Sequence, residues 1–150
     1  MVLFEQFLDE AISSIMESSS PNKDFKFNGK TYTVKIKNKI THKHQFIPNI
    51  DEIESLFNST KLWEHLYKSN KSWWNEVSED DQYGITINSA RDLKSSITSV
   101  TTIIQNQDGV YVCGEWKVDP EHGFSVNFPD GKLVTSGKNK TGIGTMDRAL

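Results

Sequence analysis

A chain of 150 residues is the length of one ordinary domain with room for a sizeable core, and an 11% aromatic content argues against disorder although 25% of the residues are charged. A net charge of -3 leaves no basic footprint for nucleic acid, and a single cysteine, Cys113, excludes an internal disulfide framework. The opening residues carry Glu5, Asp9 and Glu10 inside their apolar pattern, which suits neither a signal peptide nor a membrane span, so a soluble cytoplasmic domain is expected.

The chain begins with a helical stripe. Phe4, Phe7, Leu8, Ala11, Ile12 and Ile15 recur at intervals of three and four, and Ser18 to Asn22, with Pro21, ends the pattern. A hairpin follows: Phe25–Phe27 and Lys30–Ile36 flank Asn28-Gly29, a pair in which both residues tolerate positive φ. Lys26, Lys30, Lys35, Lys37, Lys39 and Lys43 make this the one basic stretch, and lysines are how natural sheets blunt an exposed edge. His42 and His44 would point the same way on a strand. Cys113, His65, His122 and the carboxylates stand at no recognisable ligand spacing from them, so no metal site is expected.

Pro48 to Val77 reads as helical. Asn49, with Glu52 three positions on, has the form of a capping box; Ile50, Ile53, Leu56 and Phe57 give the buried stripe. Asn58-Ser59-Thr60 interrupts and caps a second helix bearing Leu62, Trp63, Leu66, Tyr67, Trp73, Trp74 and Val77. Trp73 and Trp74 are adjacent, so one helical face cannot bury both. Glu76, Glu79, Asp80 and Asp81 follow at once. An uncovered tryptophan beside a compact acidic patch makes a binding surface for a basic partner, since aromatics anchor interfaces and like-signed charge steers encounter. The bland alternative is one tryptophan in the core, the other half covered, and the acids in a solvated loop.

Tyr83–Ile87 reads as a short strand, Asn88–Leu93 as a capped turn or two of helix, and the β-branched run Ile97–Gln105 as a strand. Next comes a meander over 109–134. Val110, Val112, Gly114, Trp116 and Val118 lie on one strand face; Asp119–Gly123 turns; Phe124, Val126 and Phe128 return; Pro129-Asp130-Gly131 turns again before Leu133 and Val134. Gly123 is expected at positive φ, with Glu121 and His122 tying the turn by hydrogen bonds. Residues 135–150 read as a loose, glycine-bearing tail. Gly142-Ile143-Gly144 lacks the strand, helix and third glycine of a nucleotide loop.

No catalytic signature emerges. Cys113 lies mid-strand with no flanking histidine or helix N-terminus to lower its pKa, and Glu121-His122 sits on a turn where adjacent side chains diverge. No catalytic residue, cofactor or metal ligand is assigned.

Trp116 followed by Asp119-Pro120-Glu121-His122-Gly123-Phe124-Ser125-Val126, with a later Asp130-Gly131-Lys132, resembles a signature of small bacterial proteins, some encoded as immunity proteins beside polymorphic or contact-dependent toxins. The resemblance covers about a sixth of the chain. It implies a cytoplasmic, non-enzymatic inhibitor that binds one toxin domain tightly.

Together these readings predict a single α+β domain. Its antiparallel sheet is built from the Asn28-Gly29 hairpin and the carboxy-terminal meander, with helices packed on one side. The leading function is an immunity-type inhibitor of a toxin domain, such as a nuclease, engaged through Trp73, Trp74, Glu76, Glu79, Asp80 and Asp81, with neither nucleic acid nor membrane as partner. The alternative is a small enzyme or ligand-binding domain with its pocket between sheet and helices.

Overall fold

A computed structural model describes residues 22–39, 49–80 and 84–150. The helix expected over Phe4–Ile15, the His42 and His44 pair, Asp81 and Tyr83 lie outside the described residues.

The expected hairpin is β1 (Asn22–Phe27) and β2 (Lys30–Asn38), paired antiparallel with Phe27 opposite Lys30. Asn28 (φ 53°) and Gly29 (φ 82°) both turn left-handed, as a two-residue turn that matches strand twist requires. The helical region divides into α1 (Ile50–Asn58), α2 (Thr60–Ser69) and α3 (Lys71–Glu79). Asn49 caps α1 by accepting from the Asp51 and Glu52 amides, and Ser59 Oγ caps α2 through the Leu62 amide. The break at Asn70 (φ -131°, ψ 36°) goes beyond the sequence reading, which placed one interruption, at 58–60. Ser89 caps α4 (Ala90–Ser95) through the Asp92 amide, and β3 (Ile97–Asn106) and β4 (Gly109–Trp116) form the next hairpin.

Among the described residues the strands make one six-stranded sheet in the order β1-β2-β3-β4-β5-β6, with β5 at Phe124–Phe128 and β6 at Ile143–Gly144. Every neighbouring pair is antiparallel except β2 and β3, which run parallel with Ile36 opposite Ile103. That single parallel pairing joins the amino-terminal hairpin to the carboxy-terminal strands. It also requires a long crossover, which the helical segment supplies. The chain is an α+β domain, as the sequence predicts.

Strand alternation decides the two faces. Phe25, Phe27, Val34, Ile103, Val112, Phe124 and Val126 meet the helices, which contribute Ile53, Phe57, Leu62, Trp63, Leu66, Trp74, Val77 and Leu93. Phe57 is the hub: its ring lies 5.8 Å from Phe25, 4.7 Å from Phe27, 5.4 Å from Trp63 and 5.9 Å from Phe124. The other face carries a smaller cluster of Ile104, Tyr111 and Cys113, covered by Ala149 and Met146.

The edge strand β1 is guarded twice over. Its lysines are exposed, and α1 engages its backbone at Lys26: Glu54 Oε2 accepts from the Lys26 amide at 2.9 Å, while Asn58 Nδ2 donates to the Lys26 carbonyl at 2.7 Å. Engaging the Lys26 amide and carbonyl removes that position of the edge as a template for another chain.

Three expectations are corrected. Leu133 and Val134 form no strand. Left-handed Asp130 (φ 52°) and Gly131 (φ 73°) shape a 3-10 turn, and Val134 then closes a loop by exchanging hydrogen bonds with Thr141, 2.8 Å to its carbonyl and 3.0 Å from its amide. The strand that completes the meander is β6, pairing Ile143 with Val126. Residues 135–150 are therefore no loose tail: Thr141, Ile143 and Ala149 are buried, and Met146–Ala149 forms a 3-10 turn against the second face. Finally, no strand forms over 84–87, where Gly84 turns left-handed at φ 62°. The buried Ile87 is held by Ser78, whose Oγ accepts from the Ile87 amide at 2.7 Å.

Candidate functional site

Helix α3 sets Trp74 and Val77, three apart, into the core. Trp74 is wholly buried, and its Nε1 donates to the Leu66 carbonyl at 3.3 Å. Trp73 then falls to one side of that stripe, half-buried, its ring 4.6 Å from Trp74 and 5.8 Å from Trp116 at 77°. Trp116 is itself pinned by an Nε1 hydrogen bond of 2.9 Å to Ser96 Oγ. Trp73 is thus an aromatic with one side on a rigid base and the other reaching solvent.

Glu76, Glu79 and Asp80 are exposed at the end of the same helix; Asp81 lies beyond the described residues. Glu76 follows Trp73 by three positions and shares its face, whereas Glu79 sits further round. These acids stand at the carboxy-terminal end of α3, whose last turn holds no basic residue. A helix C-terminus carries partial negative charge, so carboxylates there oppose the macrodipole, a cost of order 0.3–1 kcal/mol each. The arrangement works against helix stability and toward a concentrated negative patch. Of the six residues expected to form one interface, Trp73, Glu76, Glu79 and Asp80 reach the surface and Trp74 does not.

The turn at 119–123 brings a different pair together. The His122 amide donates to Asp119 Oδ1 at 3.1 Å, and His122 Nδ1 lies 3.0 and 3.1 Å from the two carboxylate oxygens. The hydrogen bond to Asp119 is the main cause of a raised His122 pKa, reinforced by the charge of the same carboxylate and, more weakly, by Asp147 and Glu121. Sequence adjacency pointed to Glu121 as a partner in tying the turn. The partner is Asp119, because the turn folds residue i back over residue i+3. Gly123 takes φ 70°, as expected, and its amide donates to the Asp119 carbonyl at 2.8 Å. Cys113 offers no nucleophile: it is fully buried, and burial pushes its thiol up to about 12 despite the nearby charges of Arg148 and Lys37. Among the described residues no group of three or more His, Cys, Asp or Glu could hold a metal ion, and no helix is long and apolar enough to cross a membrane.

One concavity was not foreseen. A groove of about 640 Å³ runs beside α1, lined by Asp51, Glu52, Leu56, Lys61, Lys132 and Leu133. It is open and of mixed charge, and it involves the loop after β5, whose course the sequence did not reveal.

The fold and these sites define an α+β domain with a tryptophan-anchored acidic surface patch. Compared with protein-family models, curated proteins and solved structures, the chain matches none.

Proposed function

We propose that this domain is a non-enzymatic, immunity-type inhibitor that neutralises a toxin domain by tight complex formation. Trp73 is the apolar anchor, and Glu76, Glu79 and Asp80, continued in sequence by Asp81, steer a basic partner. The observation that supports this most is the partly buried Trp73 held on Trp74 and Trp116, on the helix whose unfavourable end carries the carboxylates. Rigid aromatics lose little entropy on binding, and an acidic surround accelerates encounter with a basic surface such as a nuclease. The likeness of Trp116 and 119–126 to an immunity-protein signature supplies the biological class.

The reading is tested first by whether the gene beside this chain's encodes a basic toxin domain, whose absence would count against it, and then by kinetic binding to that domain. Neutralising Glu76 and Asp80 should slow association and flatten its salt dependence, while Trp73→Ala should speed dissociation, at about 2 kcal/mol or more. Unchanged rates for both variants at low and high salt would remove this patch from the interface.

The alternative is a small enzyme or ligand-binding domain with its pocket between sheet and helices; the groove beside α1 lies against the loop after β5 instead, and it favours a ligand-binding reading only by its volume, within the range of about 300–1,000 Å³ usual for small-molecule sites. Leu56→Arg would fill that groove. Under the inhibitor reading it leaves toxin binding intact.

A further inference from the structure

Among the described residues two buried side-chain atoms have no hydrogen-bond partner, Ser99 Oγ and Gln105 Oε1. A buried acceptor left unpaired is costly, and folded proteins keep few of them. Ser99 adjoins a register shift in the β3–β4 pair, where an ill-served hydroxyl has a local cause. Gln105 has no such cause. It stands in the regular part of the pair, opposite Val110, and is only 3% exposed. Strand alternation turns it away from the Ile104 side and toward the face of Val110, and both residues border a cavity of about 210 Å³.

That cavity lies between two turns. The β3–β4 hairpin contributes Asn106 and Gln107, and the 3-10 turn after β5 contributes Asp130 and Gly131. Gly109 lets the turns approach: a Cβ there would meet the Phe128 carbonyl oxygen at 2.7 Å, so this wall is backbone against backbone and cannot easily shift. Asp130 takes φ 52°, in the left-handed region that a β-carbon disfavours, and strain of this kind outside glycine gathers at functional sites. Its carboxylate is exposed, and among the described residues no cation pairs with it. The described lining includes no lysine or arginine.

We propose that this cavity binds a guanidinium group, with Gln105 Oε1 and the Asp130 carboxylate as its acceptors. The unpaired atom accepts, so its ligand must donate. The formal charge on the described lining is negative, so the donor is a cation. A guanidinium suits the site better than an ammonium for two reasons. Its planar fork presents several donors at once to acceptors on two separate turns, and its weaker hydration makes it less costly to cover against Val110. The volume lies below the range of about 300–1,000 Å³ usual for whole small-molecule ligands, which fits a head group. The site is separate from the Trp73 patch, because Trp116, on which Trp73 rests, ends β4 and Gly109 begins it.

The experiment titrates isotope-labelled protein with N-acetyl-L-argininamide and follows the Gly109, Val110 and Gly131 backbone amides and the Gln105 side-chain amide by two-dimensional NMR. These signals should shift together and saturate. The neutral counterpart, N-acetyl-L-citrullinamide, should bind at least tenfold more weakly, and N-acetyl-L-lysinamide should fall between the two. Asp130→Asn, which still tolerates left-handed backbone, should lose affinity about tenfold. Gln105→Met keeps the bulk and removes the oxygen. It should abolish binding while the urea midpoint holds or rises, because nothing within the fold bonds that oxygen. Competition by the probe against the toxin domain would assign the guanidinium to an arginine of that partner, and undisturbed toxin binding would assign it to a free compound. If the probe moves none of these amides, if the citrulline compound binds equally well, or if both variants keep full affinity, the inference fails. A Gln105→Met variant that lost stability while Asp130→Asn bound normally would make Gln105 structural and overturn it as well.

Discussion

Replacing Gly123 by alanine separates two physical costs that usually arrive together. Gly123 and Gly29 both take positive φ, 70° and 82°, so an L side chain at either meets the left-handed penalty of about 1–2 kcal/mol. Their surroundings differ. A Cβ on Gly29 would have nothing within 4 Å, whereas one on Gly123 would overlap the carbonyl oxygen of Gly114 and approach Met146 Cε to 3.6 Å. Gly114 is the last residue of β4 paired with β5, opposite Phe124, so its carbonyl cannot step aside without opening the ladder. Overpacking against a fixed group adds typically 1–3 kcal/mol. Gly29→Ala should therefore lose about 1 kcal/mol and Gly123→Ala about 3 kcal/mol. Urea unfolding followed by tryptophan fluorescence measures both, with the slope of the transition unchanged. Equal losses would show that the approach of the 119–123 turn to β4 carries no energetic weight, and the argument would fail.

Phe57→Ala should cost about 3–5 kcal/mol, near the upper end, because the ring touches aromatics from β1, α2 and β5 that cannot all collapse into the cavity; thermal or urea unfolding reads it, and a loss under 1 kcal/mol would contradict the hub role. Trp74→Ala should destabilise the fold by a similar amount, whereas Trp73→Ala, half-buried, should cost clearly less in unfolding while carrying the larger penalty in partner binding. His122 should titrate above 6.5 by NMR and return toward that value in Asp119→Asn. Because its folded pKa is the higher one, the stability it contributes is complete below 6.5 and is lost as pH rises through the folded value; a midpoint at or below 6.5 would exclude the Asp119 contact in solution.

Local chemistry was enough to read the elements whose signals are complete within a few residues. Asn28-Gly29 specified its turn because both residues accept positive φ, and Asn49, Ser59 and Ser89 announced helix starts by side chains that reach amides two or three positions on. The alternation of Val110, Val112 and Trp116 against Tyr111 and Cys113 likewise sorted the β4 side chains into two faces before any partner was known. The adjacency of Trp73 and Trp74 showed that one must leave the core, but which one depends on where α3 lands against β4 and Trp116. Long-range choices lay elsewhere. That β2 pairs parallel with β3 follows from the crossover path, not from either strand's residues. That Leu133-Val134 yields its place to Ile143-Gly144 follows from competition for the edge of β5, which Val134 loses once it bonds Thr141. The segment 135–150 looked polar and loose because its order comes from contacts with distant parts of the chain: Arg148 reaches Ser125, and Asn127 holds Gly142 at 2.8 Å. Periodicity records only which face a residue turns toward the core, so a segment fastened by single polar side chains leaves no periodic trace, and only the assembled sheet decides where it goes.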